Sequence, residues 1–130
     1  MKAGTASYLQ NAAVSLTKAD GNLAIGFADE AGRHAYYGAF HAAQALIFER
    51  TNKVAKTHRG VAAQFHKLTK GDPTFDQSLS AFLSAGYNFK QAADYAATSM
   101  PPILRDDAED AILKAKRFVA AITQQMASTP

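Results

Sequence analysis

The sequence predicts an all-α protein, an antiparallel up-and-down bundle of four to five helices. Alanine, the strongest helix former, is the most frequent residue of the 130-residue chain. Apolar residues recur at three- and four-residue intervals in five segments, and no segment shows the alternation that is typical of a strand. The connections between these segments are short, which favours antiparallel neighbours. The length is that of one domain, and we expect residues 1–130 to form it.

Turn residues between the apolar segments predict the ends of the first two helices. Residues 5–18 form the first, which we expect Asp20, Gly21 and Asn22 to end, because Gly and Asn tolerate the left-handed conformation. The second is long and covers residues 23–50. Its predicted buried stripe comprises Phe27, Ala31, Ala35, Phe40, Ala43 and Ile47.

The other three helices have recognisable start signals. Thr57 is a candidate N-cap for a helix over residues 57–69. Pro73 disfavours helical geometry at the residue before it, so the fourth helix is predicted to begin near residue 75 and to reach about residue 97. A Met-Pro-Pro segment then interrupts the chain, and the fifth helix is predicted over residues 106–126, with acidic residues first and basic residues later.

Positive charge is concentrated in residues 50–70, which we call the basic segment. The chain carries +3 overall, but this segment holds six Lys or Arg residues and no carboxylate, while the rest holds eight basic and 11 acidic residues. Such a segment is typical of a protein with an anionic partner, although a solvated surface would show the same pattern. The candidate phosphate contacts are Lys53, Lys56, Arg59, Lys67 and Lys70.

Several classes of function are disfavoured by what the sequence lacks. It contains no cysteine, which excludes disulfides, thiolate nucleophiles and cysteine-bound zinc. It shows neither a membrane-spanning apolar run nor a secretory leader, so we expect a cytoplasmic protein without membrane contact. His34 and His41 lie nearly two helical turns apart, too far to chelate one metal ion. We therefore expect no metal and no cofactor.

Polar side chains form a stripe on the second helix. Arg33, Tyr37 and His41 follow one another at intervals of four residues and therefore lie along one face. Burying such a stripe is costly unless its members are paired. It is either a structural polar cluster, with Arg33 bound to a carboxylate, or a surface that binds a ligand or nucleic acid.

The same helix carries a motif that is found in a known family. From Arg33 to Ala43 the chain reads Arg-x-Ala-Tyr-Tyr-x-Ala-Phe-His-Ala-Ala, a Lys-Thr-His-Arg-Gly-Val segment begins at Lys56, and Ala93-Asp94-Tyr95 follows. In these motifs the chain resembles the HEPN family of prokaryotic helical domains that are associated with nucleotides and RNA. The resemblance is to the small single-domain branch and spans residues 33–95.

This resemblance implies a dimeric helical bundle and a set of expected partners. Many HEPN proteins are metal-independent ribonucleases that act as toxins in toxin–antitoxin or defence systems. The implied partners are a second copy of the chain, an RNA or nucleotide, and a minimal nucleotidyltransferase as antitoxin. The catalytic motif of the family is an arginine and a histidine separated by four to six residues, with two copies meeting across the dimer.

The chain departs from this motif at the place where the family carries it. Lys90 stands where arginine is usual, and Asp94 and Tyr95 follow without a histidine. Lysine lacks the planar guanidinium group that binds a phosphate through two hydrogen bonds. We expect Asp94 to pair with Arg33 inside the bundle, in which case its role is structural.

Two alternatives remain for a ribonuclease site. Arg59 and His66 have the family spacing and lie in the basic segment, although on the third helix. The other alternative combines Lys90 with His41 or His58. Histidine can move protons at the 2′-hydroxyl, and a cation can stabilise charge on the phosphate.

Three functions therefore stay open. The first is an RNA- or nucleotide-binding component of a toxin–antitoxin or defence module. The second is a metal-independent endoribonuclease, and the third is a non-catalytic dimerisation or interaction module. The residues expected in the binding site or polar cluster are Arg33, Tyr37, His41, His58, Lys90, Asp94 and Tyr95.

Overall fold

Five α-helices make up the described part of the chain, and the predicted fold class is confirmed. The structure, a computed structural model, describes residues 1–94 and 102–127, without the side chains of residues 92–94. Within these ranges no residue is in a strand. The helices are α1 (Ala3–Ala24), α2 (Ala28–Thr51), α3 (His58–Thr69), α4 (Gln77–Asp94) and α5 (Arg105–Ala127).

The four long helices run up and down, as predicted. The start of α1 lies beside the end of α2, because the backbone N–H of Lys2 donates to the Glu49 carboxylate at 2.9 Å. The start of α5 lies beside the end of α1, where the Arg105 guanidinium donates to the carbonyl oxygen of Leu23 at 3.1 Å. The helix α4 is antiparallel to α2, since Gly32 near the start of α2 adjoins Phe89 near the end of α4. The shorter α3 packs on α2 and α4.

The helix α2 forms the centre of the bundle and packs against each of the other four. Its interior positions are mostly small, which lets the neighbouring helices approach closely. Large side chains from α3 and α5 fill the space beside it, and the Phe65 and Phe118 rings lie 5.1 Å apart. The fully buried residues of α2 include Ala31, Ala35, Ala39, Ala42, Ala43, Leu46 and Ile47.

The predicted boundary between the first two helices is wrong. The helix α1 continues through Gly21 and ends only at Ala24. The amide of Asn22 donates to the carbonyl oxygen of Lys18 within the same helix, so this residue supports the helix instead of ending it. The turn is made at Gly26, whose φ of +87° suits glycine. Phe27 therefore precedes α2 and is 57% exposed, so its predicted burial is also wrong.

The remaining boundaries lie within two residues of the predicted ones where the structure describes them. Thr57 caps α3, as predicted, by accepting a hydrogen bond from the Gly60 N–H at 2.9 Å. Asp76 accepts from the Ser78 N–H at 2.8 Å, and α4 begins at Gln77. The predicted extension of this helix to residue 97 lies outside the described residues. Among the helices that the structure describes, none combines the length and apolarity needed to cross a membrane.

Candidate functional site

An aromatic pocket opens where α2, the 52–57 connection, the start of α3 and α4 meet. Its volume is about 290 Å³. Of the described residues that line it, five are aromatic, two are lysines and none is a carboxylate. The lining consists of Tyr36, Tyr37, Phe40, Lys56, His58, Tyr87 and Lys90. Flat rings and positive charge in one concave site are suited to a ligand that combines a ring system with an anionic group.

Gln44 determines the path of the connection that forms one wall of this pocket. Its side-chain amide is buried on α2 and donates to the carbonyl oxygen of Ala55 at 2.7 Å. Since that carbonyl can only accept, the Gln44 amide oxygen must face the other way, where it accepts from His41 Nδ1 at 2.8 Å. Gln44 thus holds the connection against α2, and α3 consequently begins beside the middle of α2.

His58, the first residue of α3, is held at two points. Its Nδ1 shares a 2.6 Å hydrogen bond with the hydroxyl of Tyr36. Its ring stacks on that of Tyr87, with centroids 4.0 Å apart and planes inclined by 14°. Burial lowers the pKa of the His58 imidazole. Its other ring nitrogen, Nε2, makes no hydrogen bond with any residue that the structure describes, so it is available to a ligand.

Tyr36 is the hub of the aromatic cluster. It is only 1% exposed, and its ring lies within 6.0 Å, centroid to centroid, of the rings of Tyr37, Phe40, His58 and Tyr87. Burial raises the pKa of its hydroxyl, which therefore stays protonated at neutral pH. A protonated hydroxyl can donate to Nδ1, which leaves Nε2 as a donor, or accept from it, which leaves Nε2 as a base. The hydrogen bond is therefore compatible with either neutral tautomer of the His58 imidazole.

Two lysines give the aromatic pocket its positive charge. Lys90 lies over the Tyr87 ring, with its ammonium nitrogen 5.9 Å from the centroid. Lys56 is exposed in the connection and lines the same pocket. None of the lining residues that the structure describes is a carboxylate, and positive charge at the mouth of a pocket favours an anionic group there.

The predicted stripe on α2 exists as a row of contacts beside the aromatic pocket. The Arg33 guanidinium lies over the Tyr37 ring at 5.9 Å, and Tyr37 stacks on His41 at 6.3 Å. Arg33 also forms an ion pair with Glu30, one turn earlier on the same helix. Tyr37 belongs to the pocket lining, whereas Arg33 and His41 do not. The stripe thus flanks the aromatic pocket and joins it to the Gln44 anchor.

Arg59 and His66 lie elsewhere. Both side chains are exposed on α3, about two turns apart, and neither lines the aromatic pocket. The basic segment has the same exposed character, since the side chains of all five candidate phosphate contacts reach solvent. They are Lys53, Lys56, Arg59, Lys67 and Lys70.

At the position of the family motif, the structure describes part of the predicted set. Lys90 lines the aromatic pocket. Asp94 is the last residue of α4 that the structure describes, and its side chain lies outside the described residues, as does the whole of Tyr95. The predicted pairing of Asp94 with Arg33 therefore stays a prediction.

The predicted set does not include four residues of this site. They are Tyr36, Phe40 and Gln44, on successive turns of α2, and Tyr87 on α4. Only the bundle brings them together with His58. For Tyr87 the available signal is its place one turn before Lys90, which puts both on one face of the predicted fourth helix. For Gln44 the signal is a long polar amide within an alanine-rich buried stripe.

Comparison with known proteins agrees with the bundle and its motifs. The family described as HEPN domain matches residues 5–125, which is nearly all of the chain. The chain therefore belongs to the HEPN family. It is also 30% identical over 97 residues to a protein of Methanocaldococcus jannaschii that bears the name "putative toxin". That alignment covers 75% of this chain and 69% of the relative.

Proposed function

We propose that this HEPN protein binds RNA or a nucleotide in the aromatic pocket and acts as the toxin-like component of a toxin–antitoxin or defence module. One observation carries the binding proposal: aromatic rings and two lysines line the pocket, and none of its described lining residues is a carboxylate. The name of the M. jannaschii relative supports the toxin assignment. In this proposal a base stacks on an exposed part of the aromatic cluster, and its phosphate meets Lys56 or Lys90.

The basic segment extends the same surface. Lys56 belongs both to this segment and to the aromatic pocket, so a strand that leaves the pocket can follow exposed cations onto α3. Binding through phosphates releases counterions and weakens as the salt concentration rises. Stacking in the pocket depends less on salt, and the two contributions can therefore be separated by experiment.

The test is the affinity of a short fluorescein-labelled single-stranded RNA, measured by fluorescence anisotropy over a range of salt concentrations. We expect Lys56→Ala to weaken binding and to reduce the salt slope by about one counterion. We expect Tyr87→Ala to weaken binding by about 1–3 kcal/mol, the usual contribution of one stacked base, with little change in slope.

Lys18→Ala is the matched control, because Lys18 is an exposed cation on α1, outside the pocket lining. This variant loses the same charge and should leave the affinity almost unchanged. Equal effects of Lys56→Ala and Lys18→Ala would contradict the assignment of the site. Titration with adenosine monophosphate by calorimetry shows whether a free nucleotide suffices.

A second candidate function, metal-independent RNA cleavage, is favoured by the position of His58. Its Nε2 is available, its Nδ1 is held by Tyr36, and Lys90 lines the same pocket. In such a reaction Nε2 takes the proton of a 2′-hydroxyl, whose oxygen forms a bond to phosphorus as the bond to the 5′-oxygen breaks. The leaving oxygen takes a proton from water, and a lysine stabilises the charge on the phosphate oxygens.

Cleavage of a labelled RNA in the presence of EDTA tests this candidate. We expect the activity to persist in EDTA, to disappear in His58→Ala and to remain in His66→Ala. The opposite result for the two histidines would assign the reaction to Arg59 and His66. If the protein binds RNA but does not cleave it, the binding proposal stands without the reaction.

A further inference from the structure

A second and larger cavity lies between α4 and α5. Its volume is about 390 Å³, and it shares no lining residue with the aromatic pocket, although α4 contributes to both. We call it the α4–α5 groove. It is lined by Ser78, Leu79, Ala81, Phe82 and Ala85 on α4, and by Lys114 and Arg117 on α5.

The α4 side of this groove has an apolar floor and exposed residues with short side chains. Leu79 and Phe82 form a floor that is at least nine-tenths buried. Ser78, Ala81 and Ala85 are exposed, and their spacing of three and four residues places them along one face of α4. Small side chains on an exposed face allow the backbone of another helix to come close.

The α5 side carries positive charge that the bundle does not balance fully. Lys114 forms a 2.9 Å ion pair with Asp110. Asp76, the nearest carboxylate in sequence to the α4 wall, caps α4 through the Ser78 N–H. Among the residues that the structure describes, no carboxylate lies within ion-pair distance of Arg117. The groove thus joins an apolar floor to an arginine that has no carboxylate partner in the described part of the chain.

We propose that the α4–α5 groove binds an acidic amphipathic helix of a partner protein. The helix would seat an apolar side chain over Leu79 and Phe82, and a glutamate or aspartate next to it would pair with Arg117. Such docking follows the helix-in-groove mode, in which apolar residues three and four positions apart anchor the helix. The carboxylate adds a bidentate, charge-assisted hydrogen bond that selects acidic over basic partners. This proposal is independent of what the aromatic pocket binds.

Two synthetic helical peptides test it against the full chain. Both carry leucines at positions i, i+4 and i+7, and they differ only in flanking residues, which are glutamates in one and lysines in the other. We expect calorimetry to give at least about tenfold tighter binding of the glutamate peptide. In ¹⁵N-labelled protein, that peptide should shift the amide signals of Ala81, Ala85 and Arg117.

Two variants locate the binding and its charge preference. Ala85→Trp fills the groove and should abolish binding, whereas Ala13→Trp, the same change at an exposed position of α1, should leave it unaltered. Arg117→Glu should reverse the preference, so that the lysine peptide binds more tightly than the glutamate peptide. A circular dichroism melt of each variant shows that it is folded, and Arg117→Glu tests the proposal even if Ala85→Trp does not fold.

Three results would overturn the proposal. The first is that neither peptide binds the wild-type chain at about 1 mM. The second is that both peptides bind equally well, which would mean that Arg117 selects nothing. The third is that Ala85→Trp and Ala13→Trp bind the glutamate peptide alike while both are folded.

Discussion

The imidazole of His58 lies face to face with the phenol ring of Tyr87, at a centroid distance of 4.0 Å. His58 belongs to α3 and Tyr87 to α4. A third helix, α2, supplies Tyr36, whose hydroxyl shares a hydrogen bond with Nδ1 of His58. Three helices therefore fix both the plane of the imidazole and one of its nitrogens. Such a ring is preorganised, and a ligand that binds Nε2 does not have to order it first.

Removal of the Tyr36 hydroxyl should destabilise the bundle. In Tyr36→Phe the ring stays while the 2.6 Å hydrogen bond to His58 is lost, so we expect unfolding to require about 1 kcal/mol less in a urea titration. Tyr37→Phe is the control, since the Tyr37 hydroxyl makes no hydrogen bond with the described residues. Equal losses in the two variants would mean that the Tyr36 hydrogen bond contributes nothing to stability.

The stability of the protein should fall as His58 becomes protonated. Burial lowers the pKa of His58 in the folded state below its ordinary value of 6.5. The contribution of the neutral imidazole is therefore complete above pH 6.5 and is lost as the pH falls through the lower, folded-state pKa. We expect His58→Gln to flatten the dependence of the unfolding free energy on pH below 6.5.

Nuclear magnetic resonance titration of the His58 ring provides the direct check and should give a midpoint below 6.5. Burial, followed by the charge of Arg33, also lowers the pKa of His34, so part of the pH dependence should remain in His58→Gln. An unchanged pH dependence in that variant, with a normal His58 midpoint, would contradict the assignment.

Local signals were sufficient to predict most of the fold. The apolar periodicity predicts all five helices, and the predicted cap of α3, Thr57, is confirmed. The error at Gly21 has a physical cause, because glycine is tolerated inside a long helix when nothing requires the chain to turn. The chain turns instead at Gly26, where the backbone is left-handed, and α2 begins two residues later at Ala28.

The candidate site was only half predictable, because its geometry depends on contacts between distant segments. Motifs and charge point to four residues that line the aromatic pocket, namely Tyr37, Lys56, His58 and Lys90. Their grouping depends on the hydrogen bond between Gln44 and Ala55, which sets the return path of the connection. No periodicity in the sequence encodes that path.

Gly32 should be intolerant of a side chain. A Cβ atom at this position in α2 would overlap the Phe89 ring of α4, so we expect Gly32→Ala to destabilise the protein by about 1–3 kcal/mol. Gly21→Ala is the matched control, because Gly21 lies within α1 and no atom would lie within 4 Å of the new Cβ. That variant should gain about 0.5–1 kcal/mol from helix propensity. Chemical denaturation measures both, and a stabilised Gly32→Ala would refute the close contact of α2 and α4.

Glu49 should stabilise α1 from the far end of α2, and this effect should disappear in acid. Its carboxylate accepts from the Lys2 N–H at 2.9 Å and from the Thr5 hydroxyl at 2.7 Å, and these hydrogen bonds lower its pKa below the ordinary 4.5. The stabilisation is therefore present above pH 4.5 and is lost as the pH falls through the folded-state pKa. We expect the melting temperature of Glu49→Gln to be lower than that of the wild type at pH 7, and we expect the two melting temperatures to converge in acid.

Glu109→Gln is the control, because it removes an exposed ion pair with Arg105 and should change the melting temperature little at either pH. A gap between Glu49→Gln and the wild type that stays constant with pH would show that the charge of Glu49 is not what holds the start of α1.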